Sequence, residues 1–104
     1  MARRAPKKLT KRLIDTLEPG EAGGTWHGDS ELPGLYLRSY PTGAKVFIVR
    51  FVAGRQRRYV VVGRYGPLTV DMARKRAKEI LGTVALGGDP AEEKERARKA
   101  SDDL

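Results

Sequence analysis

Cysteine is absent from the 104-residue chain, and histidine occurs once, as His27. That composition excludes disulfide frameworks, thiolate metal sites and multi-histidine metal clusters. No apolar run reaches the roughly 18 residues that a membrane-spanning helix requires. The opening segment MARRAPKKLTKR also lacks the apolar stretch of a secretory signal. A soluble, intracellular protein is expected, with no role at a membrane. Groups suited to acid–base or nucleophilic work are equally scarce. His27 beside Asp29 is the one pair that suggests a dyad, and an ordinary hydrogen-bonded loop histidine accounts for it. The segment GRYGPLT has neither the spacing nor the lysine of a phosphate-binding loop. No metal, no cofactor and no small-molecule substrate is expected.

Negative charge is in short supply too. Thirteen Asp and Glu face 21 Lys and Arg, which gives a formal net charge of +8 and an isoelectric point near 10.1. Such an imbalance points to a polyanionic partner, although charge alone does not choose among nucleic acid, an anionic membrane and a ribosome. The length suffices for one compact domain with one core.

Along the chain, residues 1–9 are basic, contain Pro6 and read as a flexible arm. Thr10 can cap a short helix over Lys11 to Leu17, with Leu13, Ile14 and Leu17 on one face and Pro19-Gly20 as its stop. The following EPGEAGGTWHGDSELPG is rich in Gly, Pro and acids, so it reads as loop with a short edge strand near Thr25 to Gly28 and Trp26 packed inward. Three runs then alternate with period two: Leu35 to Tyr40, Lys45 to Val52 and Arg57 to Val62. Joined by the turn-rich segments PTGA and AGRQ, they predict an antiparallel meander. A helix follows, capped by Thr69, with Met72, Ala73, Ala77, Ile80, Leu81 and Val84 as its apolar stripe and Gly87-Gly88 as its stop. Arg74, Lys75, Arg76 and Lys78 read as its solvated face. The charged segment from residue 91 to 104 is helix-prone but has almost no large apolar residue. The expected class is therefore α+β: a small three- to four-stranded antiparallel sheet packed on a C-terminal α-helix, with a short N-terminal helix.

Alternation also divides the sheet into two faces. Leu35, Leu37, Phe47, Val49, Phe51, Val60 and Val62 fall on one side, and Tyr36, Arg38, Arg50, Arg57, Tyr59 and Val61 on the other. The second group has two readings. It is either the solvated face of a one-sided sheet, or a surface that enters the major groove of duplex DNA with arginines on guanine or phosphate. The basic residues Arg3, Arg4, Lys7 and Lys8 are candidates for phosphate or minor-groove contact.

The order of SELPGLYLRSYPTGAKVFIVRF, GRQRRYVVVGRY, LTVDMARKRAKEIL and GGDP resembles the N-terminal arm-type DNA-binding domain of phage- and island-encoded tyrosine recombinases, the integrases. The resemblance runs from about Leu9 through Pro90. It implies an antiparallel sheet packed on a helix, with the open face of the sheet docked on arm-type sites of double-stranded DNA during integration and excision of a mobile element. Carried onto this chain, the DNA-binding positions are Arg38, Arg50, Arg57 and Tyr59, with Tyr36 and Val61 beside them, Arg55 in the adjoining turn and the basic arm before Thr10. The resemblance further implies core-binding and catalytic domains beyond the segment 91–104, which then reads as a charged linker. Other recombinase protomers would be met through those domains. No tyrosine here is assigned as nucleophile, and the chain is expected to be non-enzymatic and to act in the bacterial cytoplasm, on the nucleoid. The alternative is a protein-interaction or assembly module of a recombinase complex.

Overall fold

The computed structural model describes the backbone of residues 3–102 and the side chains of residues 6–100. In chain order the elements are β1 (Arg3–Lys7), α1 (Lys11–Thr16), β2 (Thr25–Asp29), β3 (Leu35–Ser39), β4 (Lys45–Ala53), β5 (Gln56–Arg64), α2 (Val70–Ala85) and α3 (Pro90–Asp102). One sheet contains all five strands in the order β1-β2-β3-β4-β5. The class is α+β with C-terminal helices, but the sheet is larger than expected and mixed. β1 runs parallel to β2, while the other neighbours are antiparallel.

The extra strand lies where the sequence suggests an arm. Its residues, RRAPK, show no period-two alternation, so only pairing with β2 reveals it. Pro6 lacks an N–H for a ladder and is tolerated because β1 is an edge strand whose register shifts between Arg4 and Lys7. β2 consequently lies inside the sheet and is not the edge strand expected from its sequence. Leu9, grouped with the arm by composition, is fully buried in the core. Met1 and Ala2, at the start of that arm, lie outside the described residues.

Both predicted helix caps form. The Thr10 hydroxyl accepts from the Leu13 N–H at 3.1 Å, and the Thr69 hydroxyl accepts from the Met72 N–H at 3.3 Å. Each such cap stabilises its helix by about 1 kcal/mol. α2 ends in a Schellman turn: Gly88 N–H donates to the Thr83 carbonyl and Gly87 N–H to that of Val84, both at 2.9 Å, with Gly87 at φ 90°. Ala73 and Ala77 are the fully buried contacts of α2, and Ile80, Leu81 and Val84 pack partly buried against the core. Met72, placed by sequence in that apolar stripe, is exposed instead, because it lies in the first turn beyond the width of the buried face. The core lies between α1, α2 and one face of the sheet, where Leu35, Leu37, Phe47, Val49, Phe51 and Val60 project.

Arg74 departs most from the sequence reading. It turns inward from α2, where its Nε donates to Asp29 Oδ2 at 2.9 Å and one terminal nitrogen donates to Asp29 Oδ1 at 3.1 Å and to the Leu9 carbonyl at 2.6 Å. The Asp29 side chain is 0% exposed and that of Arg74 17%. Backbone N–H groups of Leu9 and Glu31 complete the shell of Asp29 Oδ1. Burial pushes the Asp29 carboxyl up, but the Arg74 and backbone hydrogen bonds together outweigh it and leave its pKa below the ordinary 3.8. One carboxylate thus ties β2, α2 and the segment after β1 together, and it is unavailable for a dyad with His27. The helical periodicity of α2 gives no hint that one of its four cations faces inward.

The candidate nucleic-acid interface

The turn connecting β4 to β5 is Gly54-Arg55, with Gly54 at φ 63°, so the two strands form a tight hairpin with Arg55 exposed at its tip. Register then fixes the faces. Trp26 pairs with Arg38, Gly28 with Tyr36, Tyr36 with Ile48, Arg50 with Tyr59 and Val52 with Arg57, and all of these lie on the side turned away from the core. Tyr59 is 56% exposed, Val52 57% and Val61 42%. Arg57 is exposed, whereas Tyr36, Arg38 and Arg50 are half-buried.

The half-burial of these two arginines has an aromatic cause. Trp26, expected to pack inward, is only 7% exposed, yet it lies on the open face and outside the core cluster. Arg38 and Arg50 cover it, their guanidinium carbons 4.8 and 5.0 Å from the ring centroid. Tyr36 meets the same ring edge-on at 5.7 Å. Arg38 also lies 5.0 Å from the Tyr40 ring, and Arg50 5.6 Å from that of Tyr36. Through Nε, at 2.9 Å, and a terminal nitrogen, Arg38 donates to the Gly23 carbonyl. Gly24 makes room for this: a side-chain carbon there would fall 2.7 Å from Arg38 Nε.

A bulge brings a further cation to the face. Ile48 pairs with Val61 and Phe47 with Gly63, which leaves Val62 as the extra residue and reverses the parity beyond it. Gly63 faces the core beside Leu68, and Arg64, paired with Val46, joins the open face and is exposed. Strict alternation from Val60 would have sent Arg64 inward. The glycine inside a strand pattern is the signal that could have revealed it. Trp26 had no such signal, since its side depends on the pairing of β2.

Among the described residues, each ion-paired carboxylate has a partner other than the arginines of the open face, and Glu92 and Glu95 of α3 line a groove with Tyr59 and Val61 along the edge of β5. Asp15 pairs with Lys11, Glu31 with Lys8, Asp29 and Asp71 with Arg74, Asp89 with Arg58, and Glu92 and Glu95 with arginines of α3. Among the described residues, no carboxylate pairs with Arg38, Arg50, Arg55, Arg57 or Arg64. The open face is therefore a cationic and aromatic surface, bordered at β5 by the Glu92 and Glu95 side chains of α3. Among the described residues, no group of three or more His, Asp or Glu could hold a metal ion.

Of the residues proposed from sequence, the structure brings together Tyr36, Arg38, Arg50, Arg57 and Tyr59, with Arg55 at the end of the same hairpin. Lys7 instead lines a cleft beside α1 with Leu9, Leu13 and His27, and Lys8 lies 3.8 Å from Glu31. Arg3 and Arg4 are in β1, opposite Trp26 and His27, with side chains outside the described residues.

Residues 9–97 match the family described as the arm DNA-binding domain. The chain belongs to that family. It is 33% identical over 96 residues to the prophage integrase IntZ of Escherichia coli (strain K12), an alignment that takes in 92% of this chain and 23% of that protein. The whole hairpin, α2 and the first half of α3 fall within the matched segment of the arm domain, and Arg3, Arg4, Lys7 and Lys8 precede it.

Proposed function

We propose that the open face of β2–β5 binds double-stranded DNA sequence-specifically at arm-type sites, as the N-terminal domain of a site-specific tyrosine recombinase that integrates and excises a mobile element. The observation that supports this most is the set of arginines on that face that pair with no carboxylate among the described residues. A two- or three-stranded antiparallel ribbon fits a major groove about 12 Å wide, where arginine reads guanine in a bidentate manner. Arg38, Arg50, Arg57 and Arg64, with Tyr36 and Tyr59, would face the bases and flanking phosphates. Arg55 and the basic segment Arg3, Arg4, Lys7 and Lys8 would follow the backbone. Phosphate contacts set affinity, and base-edge contacts set preference. In this reading α3 leads to core-binding and catalytic domains, through which protomers meet, and the DNA-bound protein is associated with the bacterial nucleoid.

Titration of the chain with duplex DNA at several salt concentrations tests the reading. Five phosphate contacts predict a log–log slope of roughly −4 to −5, at about −0.9 per phosphate. Arg3→Ser and Arg4→Ser, which leave the β1 backbone in place, are each expected to weaken all duplexes alike and to reduce that slope by about 1. Salt-independent binding, or none, would reject the proposal.

The exposure of Val52, Tyr59 and Val61 on the same face favours a second reading, in which this surface meets another protein chain as an assembly module. It predicts concentration-dependent self-association without DNA. A monomer in sedimentation equilibrium across the accessible concentration range would exclude self-assembly through this face.

A further inference from the structure

The only tryptophan of the chain is buried on the side of the sheet that carries no core. A ring of that size in such a position is usually covered by a helix or a second sheet; here two guanidinium groups cover it. Arg38 reaches the Trp26 ring from the neighbouring strand, directly opposite in register. Arg50 reaches it from β4, one strand further away, and leans across β3 to do so. Two like charges are thereby held at a single ring, against their mutual repulsion, by the negative face of the indole and the edge-on Tyr36.

The two arginines differ in what remains free. Arg38 has Nε and a terminal nitrogen committed to the Gly23 carbonyl, so its fork is partly used. The Arg50 guanidinium donates to no acceptor among the described residues, and its contacts are the rings of Trp26 and Tyr36. None of its five N–H donors is taken up by a described residue, and its plane is set by aromatic contact. Phosphate accepts from an arginine in many orientations. A guanine edge accepts a bidentate fork only when the guanidinium plane is aligned with the base pair.

We propose that Trp26 is a specificity-determining positioning residue, which fixes the guanidinium plane of Arg50, with Arg38 clamped beside it, for reading a guanine edge in duplex DNA. This inference rests on the reading of the open face as the DNA surface. It assigns Arg50 to base recognition, Arg38 to buttressing and phosphate contact, and the indole to holding both in register. Trp26 precedes Arg38 by 12 residues and Arg50 by 24 in the sequence, and only the β2–β3–β4 pairing joins them.

The test uses the full chain and a preferred duplex selected by it from a random-sequence pool. Affinities for that duplex and a scrambled one are compared for the wild type, Trp26→Phe and Trp26→Leu. Trp26→Leu is expected to lower the preferred-to-scrambled ratio about tenfold and Trp26→Phe, which keeps a smaller ring, about threefold, while scrambled-duplex affinity and salt slope stay unchanged. In the DNA-free protein, the Arg50 Nε–Hε resonance should show a ring-current shift that Trp26→Leu abolishes and Trp26→Phe reduces. If Trp26→Leu fails to fold, Trp26→Phe decides by both readouts. An unchanged ratio in a folded variant overturns the inference and leaves duplex recognition standing. A wild-type chain for which no preferred duplex can be selected overturns the DNA reading itself, and the inference with it.

Discussion

Arg74→Met is expected to lower the stability of the domain by about 3–5 kcal/mol at neutral pH, the range for removing one partner of a buried ion pair. For a domain of this size that is a fall of about 10 °C or more in Tm. The reason is asymmetric. Methionine replaces the stem of Arg74, but Asp29, 0% exposed, keeps only the N–H groups of Leu9 and Glu31. The pH dependence provides a signature. In the wild type the Asp29 pKa lies below its ordinary 3.8, so its stabilisation is complete above that value and is lost as pH falls through the lower folded-state pKa. In Arg74→Met burial dominates and raises the pKa, so protonation relieves the penalty as pH falls. Thermal or urea melts of both proteins should therefore converge toward acid pH. A constant difference from pH 7 to pH 3 would show that Arg74 acts through packing alone.

Arg50→Ala is expected to reduce affinity for the preferred duplex by about 1–3 kcal/mol, roughly five- to 150-fold, with a much smaller effect on scrambled DNA. Arg57→Ala should behave differently. Arg57 is exposed near the hairpin tip and rests on no ring, so its loss should weaken preferred and scrambled duplexes by similar factors and reduce the salt slope by about 1. Competition binding against both duplexes separates the two patterns. Equal losses for the two variants would mean that Arg50 contacts only phosphate.

The meander of β3, β4 and β5 is legible because each strand buries one side, which writes period two into residues 35–62. Thr10, Thr69 and Gly87 mark helix boundaries through local capping chemistry, so they too can be read without tertiary information. β1 cannot, because an edge strand with a proline and four polar or small residues carries no alternation of its own. The same limit hides the inward turn of Arg74, whose partner is 45 residues away, and the side occupied by Trp26. At Arg64 the alternation misleads, since one bulged residue reverses the parity of everything after it. Periodicity places Arg38 and Arg50 on the open face, but their contact with a common ring depends on strand pairing and leaves no trace in it.

Chemical-shift mapping of the isotopically labelled chain with a short preferred duplex tests the central claim most directly. Perturbations should concentrate on Tyr36, Arg38, Arg50, Arg57, Tyr59 and Arg64, and should include the indole N–H of Trp26 beneath the two arginines. A map centred on the outer face of α2, at Lys75, Arg76 and Lys78, with the sheet unperturbed, would contradict the assignment of the open face as the DNA surface.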